Sequence, residues 1–231
     1  MPIGPTLFRA AAICGALSAL TTLGVHLLPS LYAGADTFEK QLLLRENPIY
    51  LGRLWIVVLH CLLVVVAMFG VGVRLLPRAP ALAGLGFLSF VVFGLTELLR
   101  TSLGIFALNR AWRGGYAVAP DDTTRAHFRA QIAGFSGWND ALFFLFALAF
   151  FLGTLLYGLA LRRGQGLEKT VGIVLLIWSV FGGHAVLEEA SGFGPLAPYL
   201  GWVGPGFQPL ARLLTAVWLW RTAGEPVGRA A

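Results

Sequence analysis

Apolar residues run along this chain in long blocks, at about residues 6–29, 50–76, 79–108, 138–161, 170–189 and 207–221. Most blocks reach the roughly 20 apolar residues that a helix needs to cross a bilayer. The pattern predicts an all-α fold: a polytopic transmembrane bundle of six spans in one domain, residues 1–231. The last block is the shortest. The first also fits a secretory signal loosely, with Arg9 ahead of an apolar run and Ala33-Gly34-Ala35 as a cleavage site. Its run from Leu7 to Leu31 exceeds an h-region of about 7–15 residues, so it is read as the first span.

Polar positions between the blocks predict two surface helices. Asp36-Thr37-Phe38-Glu39 resembles a capping box and leads into Leu42, Leu43 and Leu44. A second segment follows Asp121-Asp122 and sets Phe128, Ile132 and Phe135 against Arg125 and Arg129; both fit the membrane interface plane. Residues 191–209 alternate Gly and Pro with Phe193, Tyr199, Trp202 and Phe207, a density of breakers that predicts irregular backbone. Such backbone at membrane depth must be covered by protein or touch water. It is expected to form a cap at the outer interface, with Tyr199 and Trp202 at headgroup level.

The informative exceptions are charges inside the blocks. Glu97 and Arg100 stand one turn apart in the third, although a charge in hydrocarbon costs about 2.5–3.5 kcal/mol on insertion scales. At about 1.5 Å rise per residue, His60 and Glu97 come out nearly level. Arg100 shares the face of Glu97, and Glu188 stacks on His184 at i+4. Arg53 sits two turns above His60 on the same face. His26 near the end of the first span and Arg212 a turn into the sixth also fall in the outer half. The expectation is an outward-opening polar chamber built from several spans. Each residue also has a plainer role. Glu97–Arg100 can lock helices as an ion pair, the histidines can be neutral interhelical donors, and Glu188 can be interfacial. Cys14, Ser18, Thr22 and His26 form a weakly polar stripe whose small members favour close helix packing.

Composition sharpens this picture. The chain is 57% hydrophobic and 12% charged, against about 25% charged in soluble domains. Its net charge of +6 flanks apolar runs rather than forming a polar domain, which excludes a nucleic-acid partner. Cys14 and Cys61 fall inside spans and read as small core residues. With the N-terminus inside, the inner face collects eight basic residues (Arg9, Arg74, Arg78, Arg162, Arg163, Lys169, Arg221, Arg229) against seven outside. The inner ones abut spans on very short loops, which favours N-in and C-in. Arginine outnumbers lysine 15 to 2, a bias of GC-rich bacterial genomes. The expected location is a bacterial inner membrane.

Three functions compete. One is a pocket for a hydrophobic or amphiphilic small molecule such as a lipid, isoprenoid or quinone. In it Glu97, His60 and His184 serve as catalytic acid and base, while Arg100, Glu188, Arg212, Arg53 and His26 bind the ligand. The second is a non-catalytic subunit of a membrane complex, with a membrane-protein partner. The third is a cofactor protein holding b-type haem between His60 or His26 and His184, or a metal between His184, Glu188, Glu97 and His60. No spacing motif supports that third class, and the cofactor stays unknown. His127 reads as a surface residue.

Glu97-Leu98-Leu99-Arg100, the long outer loop to Asp140 and Leu-Leu-Tyr-Gly-Leu-Ala-Leu-Arg at 155–162 resemble a family of small bacterial six-helix membrane proteins of unknown function. The resemblance implies a six-helix fold and no particular reaction.

Overall fold

A computed structural model describes residues 4–32, 34, 36–194 and 201–227. The described residues are helical and contain no strand. The helices are α1 (Pro5–Leu27), α2 (Phe38–Leu43), α3 (Pro48–Leu75), α4 (Pro80–Ser102), α5 (Gly114–Val118), α6 (Asp122–Leu161), α7 (Gly166–Ser191) and α8 (Gln208–Arg221). A π-helical stretch, Leu103–Arg113, joins α4 to α5, and a π-helical turn, Val203–Phe207, leads into α8.

Five helical segments are long and apolar enough to cross a membrane: Pro5–Leu31, Pro48–Leu75, Pro80–Val118, Asp122–Leu161 and Gly166–Ser191. Their outward faces carry large exposed apolar side chains such as Leu20, Leu62, Leu88, Leu95 and Val180. The sixth block differs, because α8 has 14 residues and is too short alone. Counted from Val203, the continuous helical path over 203–221 adds the π turn. That turn corrects the expectation of irregular backbone throughout 191–209, since Gly204, Pro205 and Gly206 sit in helical geometry. Trp202 is exposed, while Tyr199 lies outside the described residues, as do Ala33, Ala35 and Arg229.

Neighbouring long helices run antiparallel and close a ring in the order α1, α3, α4, α6, α7, α8. Matched levels fix the directions. Thr21 meets His60, and Phe8 meets Arg74. Phe93 stacks near Phe146, and Phe90 near Tyr157. Along α1, the last segment meets His26 with Gly204, Gly15 with Ala216 and Arg9 with Trp220.

The ring is sealed at the end holding the α1 N-terminus. There Phe8, Val71, Leu75, Tyr157, Leu161, Leu175, Trp218 and Leu219 are fully buried. Small residues let the backbones close up. A Cβ at Gly70 would collide with Ala11, one at Gly72 with the Tyr157 hydroxyl and one at Gly86 with the Tyr157 ring. The Tyr157 hydroxyl donates to the Met68 carbonyl at 3.0 Å. Gly172 lies against the backbone of Leu161 and Arg162. Polar ties finish this end: Arg74 donates to the Thr222 and Glu225 carbonyls, and Arg78 pairs with Glu168.

The opposite end departs from the sequence reading. The segment after Asp121 is no separate surface helix, because α6 runs unbroken for 40 residues. Gly134 and Gly137 interrupt its apolar character but no proline breaks it. At about 1.5 Å per residue α6 is about 60 Å long, twice a hydrocarbon core, so its first half projects beyond the sealed ring. The third block is likewise longer than residues 79–108, since helical geometry persists to Val118. A Trp112–Phe135 contact (6.1 Å) joins the two projecting arms. Phe38 of α2 docks on them against Tyr116 and Arg129. The N-cap of α2 is Thr37, whose hydroxyl accepts from the Lys40 amide.

Candidate functional site

Above the sealed end the helices part around a cavity of about 820 Å³. Its deepest wall residues along each helix are Thr22, Cys61, Phe93, Phe150, Trp178 and Arg212. All eight residues singled out in the sequence line it: His26, Arg53, His60, Glu97, Arg100, His184, Glu188 and Arg212. They come from five helices, and α6 supplies the sixth side through Asn139, Phe143, Phe146 and Phe150. The volume falls within the range of about 300–1,000 Å³ typical of small-molecule sites, and the mix of aromatics with a few convergent polar groups is also typical.

Glu97 and Arg100 form a two-pronged pair. Arg100 Nε donates to Glu97 Oε2 at 2.7 Å and Nη2 to Oε1 at 2.5 Å. Both carboxylate oxygens are thus taken, and the first task of Glu97 is to hold this guanidinium. Arg100 reaches on to Asn139 Oδ1 at 3.0 Å and lies over the Phe143 ring. The pair sits on α4 and its support on α6, so it ties the two helices together across the cavity wall.

His60 Nδ1 hydrogen-bonds the Thr21 hydroxyl at 2.8 Å, and the ring also interacts with the Ser18 backbone, which fixes it across the α1–α3 contact. Arg53 Nε donates to the Val25 carbonyl near the C-terminal end of α1, where such carbonyls lack helical partners. His26 packs over Gly204 beside Gln208; any side chain at Gly204 would displace the ring. His184 Nδ1 stands 3.8 Å from a Glu188 oxygen. The stripe on α1 behaves as packing: Ser18 and Thr22 are buried and return their hydroxyls to the Gly15 and Ser18 carbonyls.

Arg212 differs from the other two arginines. It is 3% exposed, with its guanidinium 4.9 Å from the Trp178 ring centre. Among the described residues its Nε and Nη1 have no hydrogen-bond partner and no carboxylate pairs with it.

The metal set is not assembled. Among the described residues no three His, Cys, Asp or Glu side chains come together to hold an ion. His184 and Glu188 are neighbours, but Glu97 is committed to Arg100 and His60 to Thr21. Sequence reasoning missed Asn139, which it placed at the start of a span, and Trp178, which carries no signal beyond an apolar block. It also treated Cys61 only as core, whereas the buried thiol faces the cavity.

Comparison of the chain with protein-family models, with curated proteins and with solved structures gives no match.

Proposed function

We propose that this chain is an integral membrane protein of a bacterial inner membrane, and that its cavity binds a hydrophobic or amphiphilic small molecule. Five long apolar helices and the apolar outward surface support the membrane reading. A sixth crossing is supported by the 203–221 path, which follows α1 from the level of His26 to that of Arg9. At about 1.5 Å per residue that path approaches the hydrocarbon thickness of about 30 Å. Six crossings would return the C-terminus to the N-terminal side, and the arginines at the sealed end support reading that side as the cytoplasm.

One observation carries the binding reading. Ionisable groups from five helices share one aromatic-walled cavity instead of being scattered through separate packing contacts. Interhelical glue needs no such space; a ligand does. Within it His60 and His184 are the groups placed to move a proton, and Glu97 positions Arg100.

Native mass spectrometry of the full chain, released from a mild detergent, tests this. A bound lipid, isoprenoid or quinone is expected, lost when Phe150 is replaced by a bulkier Trp that fills the cavity. A chain that emerges empty from several lipid backgrounds, or a visible haem spectrum, overturns the reading.

A further inference from the structure

The charges around the cavity do not balance. Three arginines (Arg53, Arg100, Arg212) face two glutamates (Glu97, Glu188), with the histidines taken as neutral. Glu97 is consumed by Arg100 through both oxygens. Glu188 lies on α7 beside His184 and is half-exposed. The cation left over at the floor is Arg212, buried, with two guanidinium nitrogens lacking an acceptor among the described residues. Buried charges in proteins are ordinarily paired and hydrogen-bonded. The Trp178 face offsets part of the lost hydration but accepts no conventional hydrogen bond. A second observation marks the same spot. Beside Arg212 stands the Trp178 ring, edge-on to Phe150, while His26, His60 and Cys61 are near it and, when neutral, carry no negative charge that would pair with it; Phe93 and Phe181 continue the aromatic lining of the cavity.

We infer that Arg212 receives an oxyanion, phosphate or carboxylate, carried by an otherwise apolar molecule whose body lies against this aromatic wall. The inference rests on the proposed binding cavity and narrows it. A neutral quinone or an isoprenoid alcohol leaves the guanidinium unanswered, whereas a fatty acid or a phosphorylated isoprenoid supplies both halves. Arginine suits the task because its planar donors match the acceptor spacing of such heads. Arg53, higher in the wall, keeps the approach cationic while its Nε is occupied by the Val25 carbonyl.

The test uses the full chain in nanodiscs of zwitterionic lipid, titrated calorimetrically with dodecyl phosphate, dodecanol and inorganic phosphate. Dodecyl phosphate is expected to bind at least about tenfold more tightly than dodecanol, with inorganic phosphate weaker than the alkyl ester. Arg212→Gln is expected to abolish the preference and leave dodecanol binding in place, and Arg212→Lys to restore part of it. The empty Arg212→Gln protein is also expected to unfold no more easily than the empty native chain, because the lost Trp178 contact is offset by removal of a buried charge whose Nε and Nη1 have no hydrogen-bond acceptor among the described residues. A preference for dodecyl phosphate that survives Arg212→Gln overturns the inference, as does equal binding of dodecanol and dodecyl phosphate by the native chain. Inorganic phosphate binding as tightly as the ester overturns it in favour of a free-anion site. Failure of every alkyl probe to bind the native chain instead removes the cavity reading on which the inference stands.

Discussion

Replacing Glu97 with alanine strips Arg100 of two hydrogen bonds at once. The glutamate side chain is 5% exposed and the arginine 27%, so the pair is largely removed from water. Removing one partner of a buried pair costs about 3–5 kcal/mol, because the other charge is left behind. Arg100 keeps the Asn139 bond and the Phe143 face, which argues for the low end, about 3 kcal/mol. Removing both charges in Glu97→Ala/Arg100→Met leaves no stranded ion, so the double variant is expected to cost clearly less than the single. The cycle should therefore show a coupling of about 2 kcal/mol. SDS titration in mixed micelles, followed by far-ultraviolet circular dichroism, measures it. If the double variant is at least as destabilised as Glu97→Ala, Arg100 is not stranded and the pairing has no such role.

Gly134→Ala and Gly137→Ala on the exposed face of α6 meet no atom within 4 Å, so each should stabilise by about 0.5–1 kcal/mol in the same titration; destabilisation would show that the helix breaks there. Gly172→Ala forces a side chain into the Leu161–Arg162 backbone and should cost at least about 1–3 kcal/mol, the usual range for overpacking; a neutral result would mean that α6 and α7 sit further apart. Asp121 caps α6, and the bonds from Thr124 hold its carboxyl below the usual carboxylate range. Because the folded value is the lower one, the cap's contribution is present above the ordinary value of about 3.9 and fades as pH falls through the depressed one. Amide-exchange protection at Thr124 should follow that course, and Asp121→Asn should flatten it.

The helical class was legible because apolar blocks of this length can satisfy their backbone in a bilayer only by coiling into helices, and charges inside them are conspicuous for the same reason. Glu97, Arg100 and His60 could be placed at similar depths because helical rise is regular. Polar helix continuing beyond an apolar block was not legible. The first half of α6 carries Arg125, Arg129 and Asp140, so an apolar criterion ends the element where lipid would end rather than where hydrogen bonding does. The π-helical stretch depends on Asn109, whose amide donates to the Gly104 carbonyl five residues back and whose oxygen accepts from Arg113. That closure is invisible in residue types alone. The solitude of Arg212 was equally hidden: a sequence shows that a cation exists but not whether a carboxylate reaches it.

The glycine-mediated closure below Cys61 and Trp178 gives the chamber a floor and no back door. A molecule that entered as far as Arg212 would have to leave by the way it came, so the cavity has the form of a cup and not of a pipe. Passage to the far side would require Tyr157 to swing out from between Gly72 and Gly86 and give up its bond to the Met68 carbonyl. Widening that throat, and not altering the polar wall above it, is the change that would turn the cup into a conduit.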